Sequence, residues 1–458
     1  MTDKQFFWGN SVSSMQTEGA WNEDGKGMSV YDIREAGENR SDWRVATDDY
    51  HRYKEDFDYM QDLGMNMYRF QISWSRVNPN GDGDFNQKGI QFYDDFIDGL
   101  LERGITPMIC LYHFDMPLHL AKKYNGFVSR EVMEAFVRFA KRMIDHFSGK
   151  VKYWLTFNEQ NLFHMSGAFQ GAGYLDGDRS LTELYKIQHH MMLAHAIISN
   201  YIHENTDAQI GGMLAYMEIY PATSKPKDVF YAEKADEFYN KNLLRCFSEG
   251  EYSDEVLKEM GRFGIKDVIR DGDLDIMSRM KSDWIAFSYY QSAVLNADEL
   301  NDDIPVSKYM DIGSVRNPYL KATEWNWQID PMGFRTALVK LHSQTGLPIF
   351  PIENGIGVIE KWDGENPIDD LYRIEYHHDH IKAMQDAMNI DGVPILGYLG
   401  WGLIDILSSQ GDMRKRYGVV YVNRDNHDLK DLKRVPKRSY YWLKKVISSN
   451  GKDLEIEN

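Results

Sequence analysis

A closed (β/α)8 barrel of the TIM type is the fold this sequence predicts, in the α/β class. It is expected as a single catalytic domain over residues 1–458, with active-site loops at the C-terminal face of the strands. Three observations point there. Short apolar runs alternate with longer amphipathic ones along the whole chain. The alternation counts eight units, the number at which a parallel sheet with helical crossovers closes on itself. No Gly-rich phosphate turn follows the first run, which disfavours the open doubly wound sheet.

Strands are expected at residues 6–10, 67–72, 106–112, 151–157, 210–215, 284–289, 349–353 and 395–401. Amphipathic helices are expected between them, at 48–63, 88–103, 129–147, 181–204, 229–248, 331–344, 370–388 and 439–448. Residues 224–228 and 301–317 read as loops. The longer one follows the sixth strand, where a barrel places an active-site loop. No internal repeat appears beyond the alternation.

Composition narrows the function. A net charge of −18 argues against a nucleic-acid partner and against anionic membranes. Cys110 and Cys246 make no disulfide framework and fit a reducing compartment. The N-terminal stretch has an acidic residue early and no apolar run of signal-peptide length, and no run of transmembrane length occurs, so a cytoplasmic protein is expected. Aromatic residues make up 13% of the chain, more than a core needs, which suits a site that stacks ring-shaped polar ligands.

Two glutamates carry the chemistry. Glu159 in Thr156-Phe157-Asn158-Glu159 and Glu353 in Pro351-Ile352-Glu353-Asn354-Gly355 each follow a β-like run. Paired carboxylates at strand C-terminal ends suggest a glycoside hydrolase. The same face should collect Gln16, Arg69, His113, Asn158, Tyr290 and Trp401 from other strand ends. Gln, His and Asn bind hydroxyls, and a Trp floors a sugar ring. The run His377-His378-Asp379-His380 lies mid-helix without a second ligand cluster, so no metal is expected, and no cofactor.

Over nearly its whole length the sequence resembles glycoside hydrolase family 1. The matching segments include Ser13-Ser14-Met15-Gln16-Thr17-Glu18-Gly19-Ala20, Tyr68-Arg69-Phe70-Gln71-Ile72-Ser73-Trp74-Ser75-Arg76 and Tyr112-His113-Phe114-Asp115. Others are Thr156-Phe157-Asn158-Glu159, Glu353-Asn354-Gly355 and Lys415-Arg416-Tyr417-Gly418. The resemblance implies retaining hydrolysis of β-glycosides, with Glu159 as general acid/base and Glu353 as nucleophile. It also implies that Arg69 and Tyr290 support the nucleophile and that Asn158 binds the C2 hydroxyl. Two donors beside Glu353 should keep it ionised, while partial burial and that charge should raise Glu159.

Departures from the family pattern sharpen the substrate. Members acting on plain glycosides typically carry Glu at the place of Ser408, where a carboxylate would repel a C6 phosphate. Ser408, Lys415 and Tyr417 match the Ser-x6-Lys-x-Tyr spacing of the 6-phospho-β-glycosidases. Ser288 and the segment containing Trp327, a further expected substrate contact, also look like that branch. Ser409, where the family's 6-phospho-galactosidases usually carry Trp, favours a glucose configuration. Gln160 replaces a common proline, and the 171–177 region is shorter than usual. The expected partner is a phosphorylated small-molecule sugar, with oligomerisation left open. An ordinary β-glucosidase or β-galactosidase, a 6-phospho-β-galactosidase and a non-catalytic sugar-binding relative are the alternatives.

Overall fold

The computed structural model describes residues 6–164 and 168–457. Eight parallel strands form one sheet: β1 Phe7–Ser11, β2 Met67–Gln71, β3 Thr106–Tyr112, β4 Tyr153–Phe157, β5 Gln209–Ala215, β6 Trp284–Tyr289, β7 Ile349–Asn354 and β8 Gly397–Trp401. They run in sequence order around the sheet, with β1 also paired to β8. A parallel bridge from Ile349 to Ile395 and the Leu396 N–H to the Ile349 carbonyl at 3.0 Å join β8 to β7. The sheet is closed, as eight βα units require.

Alternation along each strand explains which side chains serve the site. On β2, Tyr68 and Phe70 point outward and pack on Phe96 of a surrounding helix, while Met67 joins the barrel interior. Arg69 shares Met67's face and so points inward. The lower interior is filled by Phe7, Met108, Leu155, Trp284, Phe350 and Leu399, leaving the polar groups for the upper end.

Seven of the eight expected helices appear within a residue at each end, as in Arg130–Phe147 and Pro331–Thr345. The latter is started by Asp330, whose side chain accepts from Gly333 N–H, and by Pro331 in its first turn. Residues 229–248 are not one helix. Pro226–Asp236 and Asn242–Glu249 flank a π turn at Glu237–Lys241, and the Tyr239 carbonyl accepts from the Asn161 side chain at 3.0 Å. An i→i+5 turn widens the ladder locally, which lets a side chain bond a helix carbonyl. The expected loop 224–228 is also corrected, because that helix begins at Pro226. Residues 301–317 likewise hold structure: a helix at Tyr309–Gly313 and a strand Ser314–Val315 that pairs with Ala293–Leu295. Among the described residues, no helix is long and apolar enough to cross a membrane.

Candidate active site

Both glutamates reach the site through local irregularities. After β4, the Asn158 N–H bonds the Tyr112 carbonyl at 2.9 Å, holding the chain in register. Glu159 then adopts a left-handed backbone with φ +41°, a conformation uncommon outside glycine that redirects its side chain. In β7, the pairing with β6 shifts between Pro351 and Glu353, so Glu353 lies opposite Ser288. A bulge of this kind re-aims a side chain at a strand end. The Ile352 carbonyl that it leaves unpaired accepts from Ser11 Oγ at 2.5 Å.

The two carboxyls line one cavity of about 450 Å³. Arg69 Nη1 donates to Glu353 Oε1 at 2.6 Å, and the Tyr290 hydroxyl donates to Oε2 at 2.9 Å. Arg69 Nη2 donates to Asn158 Oδ1 at 2.6 Å, so one guanidinium ties β2 to the ends of β4 and β7. Ser288 Oγ donates to Glu159 Oε1 at 2.5 Å.

Burial raises Glu159, against the opposing effects of the Ser288 hydroxyl and Arg69. Burial also pushes Glu353 up to about 8, with Arg69 and Tyr290 lowering it and the neighbouring Glu159 raising it. This corrects the expectation that its two donors alone would hold Glu353 ionised. Desolvation of a carboxyl only 2% exposed outweighs them.

The structure brings most of the other predicted residues to the same cavity. Gln16, His113, Tyr290, Trp327, Trp401, Ser409 and Tyr417 all line it. His113 Nδ1 and Asn158 Nδ2 are buried without a protein partner, as donors or acceptors reserved for ligand hydroxyls would be. Gln16 is more committed than expected: its Oε1 accepts from Ser13 Oγ and its Nε2 donates to the Leu407 carbonyl, both at 2.6 Å. One amide N–H and one lone pair remain for a ligand.

Ser408 and Lys415 lie behind the wall rather than on it. Ser408 Oγ accepts from the Asp412 N–H at 3.0 Å, which fixes the oxygen and leaves its hydroxyl proton to donate. Lys415–Arg416 pairs antiparallel with Val358–Ile359, the segment just after β7. Alternation then sends Lys415 and Tyr417 one way and Arg416 the other, toward Asp405 at 3.2 Å. The stem of Lys415 packs against Gly357, where a Cβ would stand 2.6 Å from its Cγ. Its Nζ sits 3.3 Å from the Trp327 ring centre and 5.5 Å from that of Tyr417.

Lys415 is 6% exposed, so the basic run is not a solvated one. Among the described residues, the other buried Arg and Lys side chains are held by carboxylates or backbone carbonyls. Arg76 has Glu18, Arg373 has Glu360 and Asp370, Arg434 has Asp56, and Arg424 has carbonyls. Lys437 pairs with Glu360 and Asp405. Lys415 bonds to no described acceptor, and burial pushes its pKa down to about 8.

Two functional contributions escaped sequence reasoning. Asn161 donates to the Ala215 carbonyl and accepts from its N–H, both at 2.7 Å, locking the end of β4 to that of β5. Ser288 was visible only as a departure from a pattern, not as the partner of Glu159. The histidine run serves structure: His377 bonds the Tyr398 hydroxyl and His380 the Tyr376 carbonyl.

The model of glycosyl hydrolase family 1 matches residues 2–452. The chain belongs to that family. It is 38% identical to aryl-phospho-beta-D-glucosidase BglA of Bacillus subtilis, over 98% of this chain and 99% of that one. It is 37% identical to 6-phospho-beta-glucosidase AscB of Escherichia coli, over 99% of each. A family 1 β-glucosidase from Thermotoga maritima superposes with a TM-score of 0.87 at 30% identity, over 99% of both chains. As a family 1 member the protein is a glycoside hydrolase.

Proposed function

We propose that the enzyme hydrolyses 6-phospho-β-D-glucosides with retention, releasing glucose 6-phosphate, and that the whole chain is one catalytic barrel domain. The observation that carries the substrate reading is Lys415, a buried ammonium with aromatic rings around it that bonds to no described acceptor. A charge held this way is costly in the empty protein and calls for a ligand that brings the counter-charge. Tyr417 on the cavity wall and Ser408 behind it supply hydroxyl donors for the same phosphate. The relatives whose names specify phosphorylated β-glucosides support this reading. The chain's similarity to a plain β-glucosidase extends to the fold, which both reactions need.

In this reading Glu353 attacks the anomeric carbon while Glu159 protonates the departing oxygen. Arg69 and Tyr290 aim the Glu353 oxygens and favour its anion as the sugar displaces water. Once the glycosyl ester forms, the negative charge next to Glu159 is gone, so it can lose a proton more easily and activate water. Asn158 Nδ2 takes the C2 hydroxyl, and Trp401 floors the ring. A phosphorylated sugar does not cross a bilayer unaided, which supports a cytoplasmic enzyme acting where its substrate is retained.

One aryl β-glucoside assayed with and without its 6-phosphate tests the proposal. The phosphorylated form should be turned over far faster, and NMR should show the β-anomer of glucose 6-phosphate first. Equal turnover of both forms would overturn the phosphate reading, and an α-anomer first would overturn the mechanism.

A further inference from the structure

Asn161 lies just beyond Glu159 in the chain but does not line the catalytic cavity. It is fully buried, and its amide oxygen and both amide N–H groups are engaged. The ladder between β4 and β5 ends at Leu155 opposite Gly211, short of the end of β5. Where it stops, the Asn161 side chain takes over. It accepts from the Ala215 N–H and donates to the Ala215 carbonyl, the two bonds a neighbouring strand would exchange.

Those bonds lead back to the acid/base by a second route. Ala215 lies opposite Ser288 in the β5–β6 pairing, and the Tyr216 N–H bonds the Ser288 carbonyl at 3.0 Å. Ser288 is the residue whose hydroxyl donates to Glu159 Oε1. One strand terminus thus holds Glu159 twice, its backbone through Asn161 and its carboxyl through Ser288. The backbone needs holding. Glu159 keeps its left-handed φ of +41°, and its carbonyl accepts from the Leu162 N–H at 2.9 Å to open the turn Gln160–His164. Such a conformation persists only where the surroundings over-determine it.

The remaining N–H of the Asn161 amide reaches the Tyr239 carbonyl in the π turn Glu237–Lys241. From the same turn, Asn240 Nδ2 donates to the Met217 carbonyl at 3.0 Å, just past the end of β5. The π turn therefore braces both partners of the junction.

We propose that Asn161 is the positioning residue of the acid/base, anchored by the π turn, and that it governs proton transfer rather than nucleophilic attack. The inference rests on the role given to Glu159 above. Without the amide, the Glu159 backbone can leave its left-handed conformation and carry the carboxyl away from the leaving oxygen. Glu353 stays aimed by Arg69 and Tyr290.

The test compares phenyl and dinitrophenyl β-glucosides on whichever glycone, phosphorylated or plain, the wild type cleaves. Asn161→Ala should lower kcat/KM on the phenyl glycoside about ten- to a hundredfold. The dinitrophenyl glycoside needs no acid, so its kcat/KM should change less than about threefold. Its kcat and KM should fall together, because water attack on the glycosyl ester still needs the base. The ratio of the two substrates within one preparation cancels any loss of active protein. Equal losses on both, or none, would overturn the proposal. Should Asn161→Ala not fold, Asn240→Ala decides: a two- to tenfold shift of the same ratio supports the brace, and an unmoved ratio overturns it. Glu159→Gln, assayed alongside, separates the two failures. If it too loses both substrates equally, the acid/base reading falls and the proposal with it; if it is selective and Asn161→Ala is not, only the positioning role falls.

Discussion

Replacing Lys415 with Met should separate phosphate recognition from catalysis and, in the same stroke, make the empty protein more stable. Methionine is similar in length and can lie against Gly357 and Trp327 as the lysine stem does. The stability effect follows from the pKa, which burial lowers from 10.5 to about 8. A depression of that size corresponds to about 3 kcal/mol spent on carrying the charge in the folded state. The cost is fully present below pH 8, where folded and unfolded forms are both protonated. It fades as pH rises toward 10.5, where the unfolded side chain also loses its proton. Methionine removes it but gives up a cation–π attraction of about 0.5–2 kcal/mol, leaving a net gain of about 1–3 kcal/mol at pH 7. The functional loss is one charge-assisted contact to phosphate, about 1.5–3 kcal/mol, or roughly ten- to a hundredfold in kcat/KM. Wild type should also show the titration. The protonated fraction of an ammonium with pKa about 8 falls by roughly tenfold between pH 7 and pH 9. Preference for the 6-phosphate over the plain glycoside should fall with it, because kcat/KM reports the free enzyme. The ratio cancels the titration of the catalytic carboxyls, which both substrates share. The assay is therefore kcat/KM for an aryl β-glucoside and its 6-phosphate across this range, with thermal unfolding of both proteins at pH 7. A variant that keeps the wild-type preference, or that is less stable than wild type, would refute the reasoning.

Glu353→Gln should abolish turnover with the fold intact, since an amide cannot form the glycosyl ester, as activity and circular dichroism together will show. Glu159→Gln should slow poor leaving groups far more than activated aryl ones, and equal losses on both in a leaving-group series would count against the acid/base role. Tyr290→Phe removes a donor that lowers Glu353, so the acid limb of the kcat/KM profile should move to higher pH. Ser288→Ala removes a donor that lowers Glu159, so the alkaline limb should move up instead. Limbs that stay fixed, or move the other way, would reassign these hydroxyls. Ser409→Trp should narrow the cavity wall near the C4 hydroxyl and shift kcat/KM from the gluco toward the galacto 6-phosphate, and an unchanged ratio would remove Ser409 from epimer selection.

The barrel was legible because its strands and most helices follow simple periodicities. β3 and β6 fall at the expected residues, and the helix expected from 129 begins one residue later, at Arg130. What stayed hidden depends on contacts distant in sequence. The break in residues 229–248 comes with a π turn whose carbonyl is taken by Asn161, 78 positions earlier. The strand at Ser314–Val315 exists because Ala293–Leu295 offers it an edge. In the site, residue identity and spacing pointed to Glu159, Glu353, Arg69 and Tyr290, yet not to the bulge in β7 that turns Glu353 toward Tyr290. Nor could spacing tell how deeply Glu353 is buried, the quantity that moves its proton.

That Lys415 bonds to no described acceptor is not a matter of scarce carboxylates. The chain has 70 acidic against 52 basic residues. The carboxylate that does act on Lys415 is Asp412, three residues away, and it is engaged elsewhere. Its oxygens accept from Arg414 Nη2 at 2.7 Å and from Asn426 Nδ2 at 3.0 Å. Arg414 thus draws off the counter-charge that would otherwise neutralise the site. Ser408, at the start of the same loop, withholds a second one, and its hydroxyl oxygen instead accepts from the Asp412 N–H. The loop therefore keeps Lys415 unpaired by two separate means, while the other buried cations among the described residues are paired. An enzyme for uncharged glycosides would gain stability by relaxing either. Under the proposed reading, a ligand that carries its own dianion turns the same arrangement into binding energy.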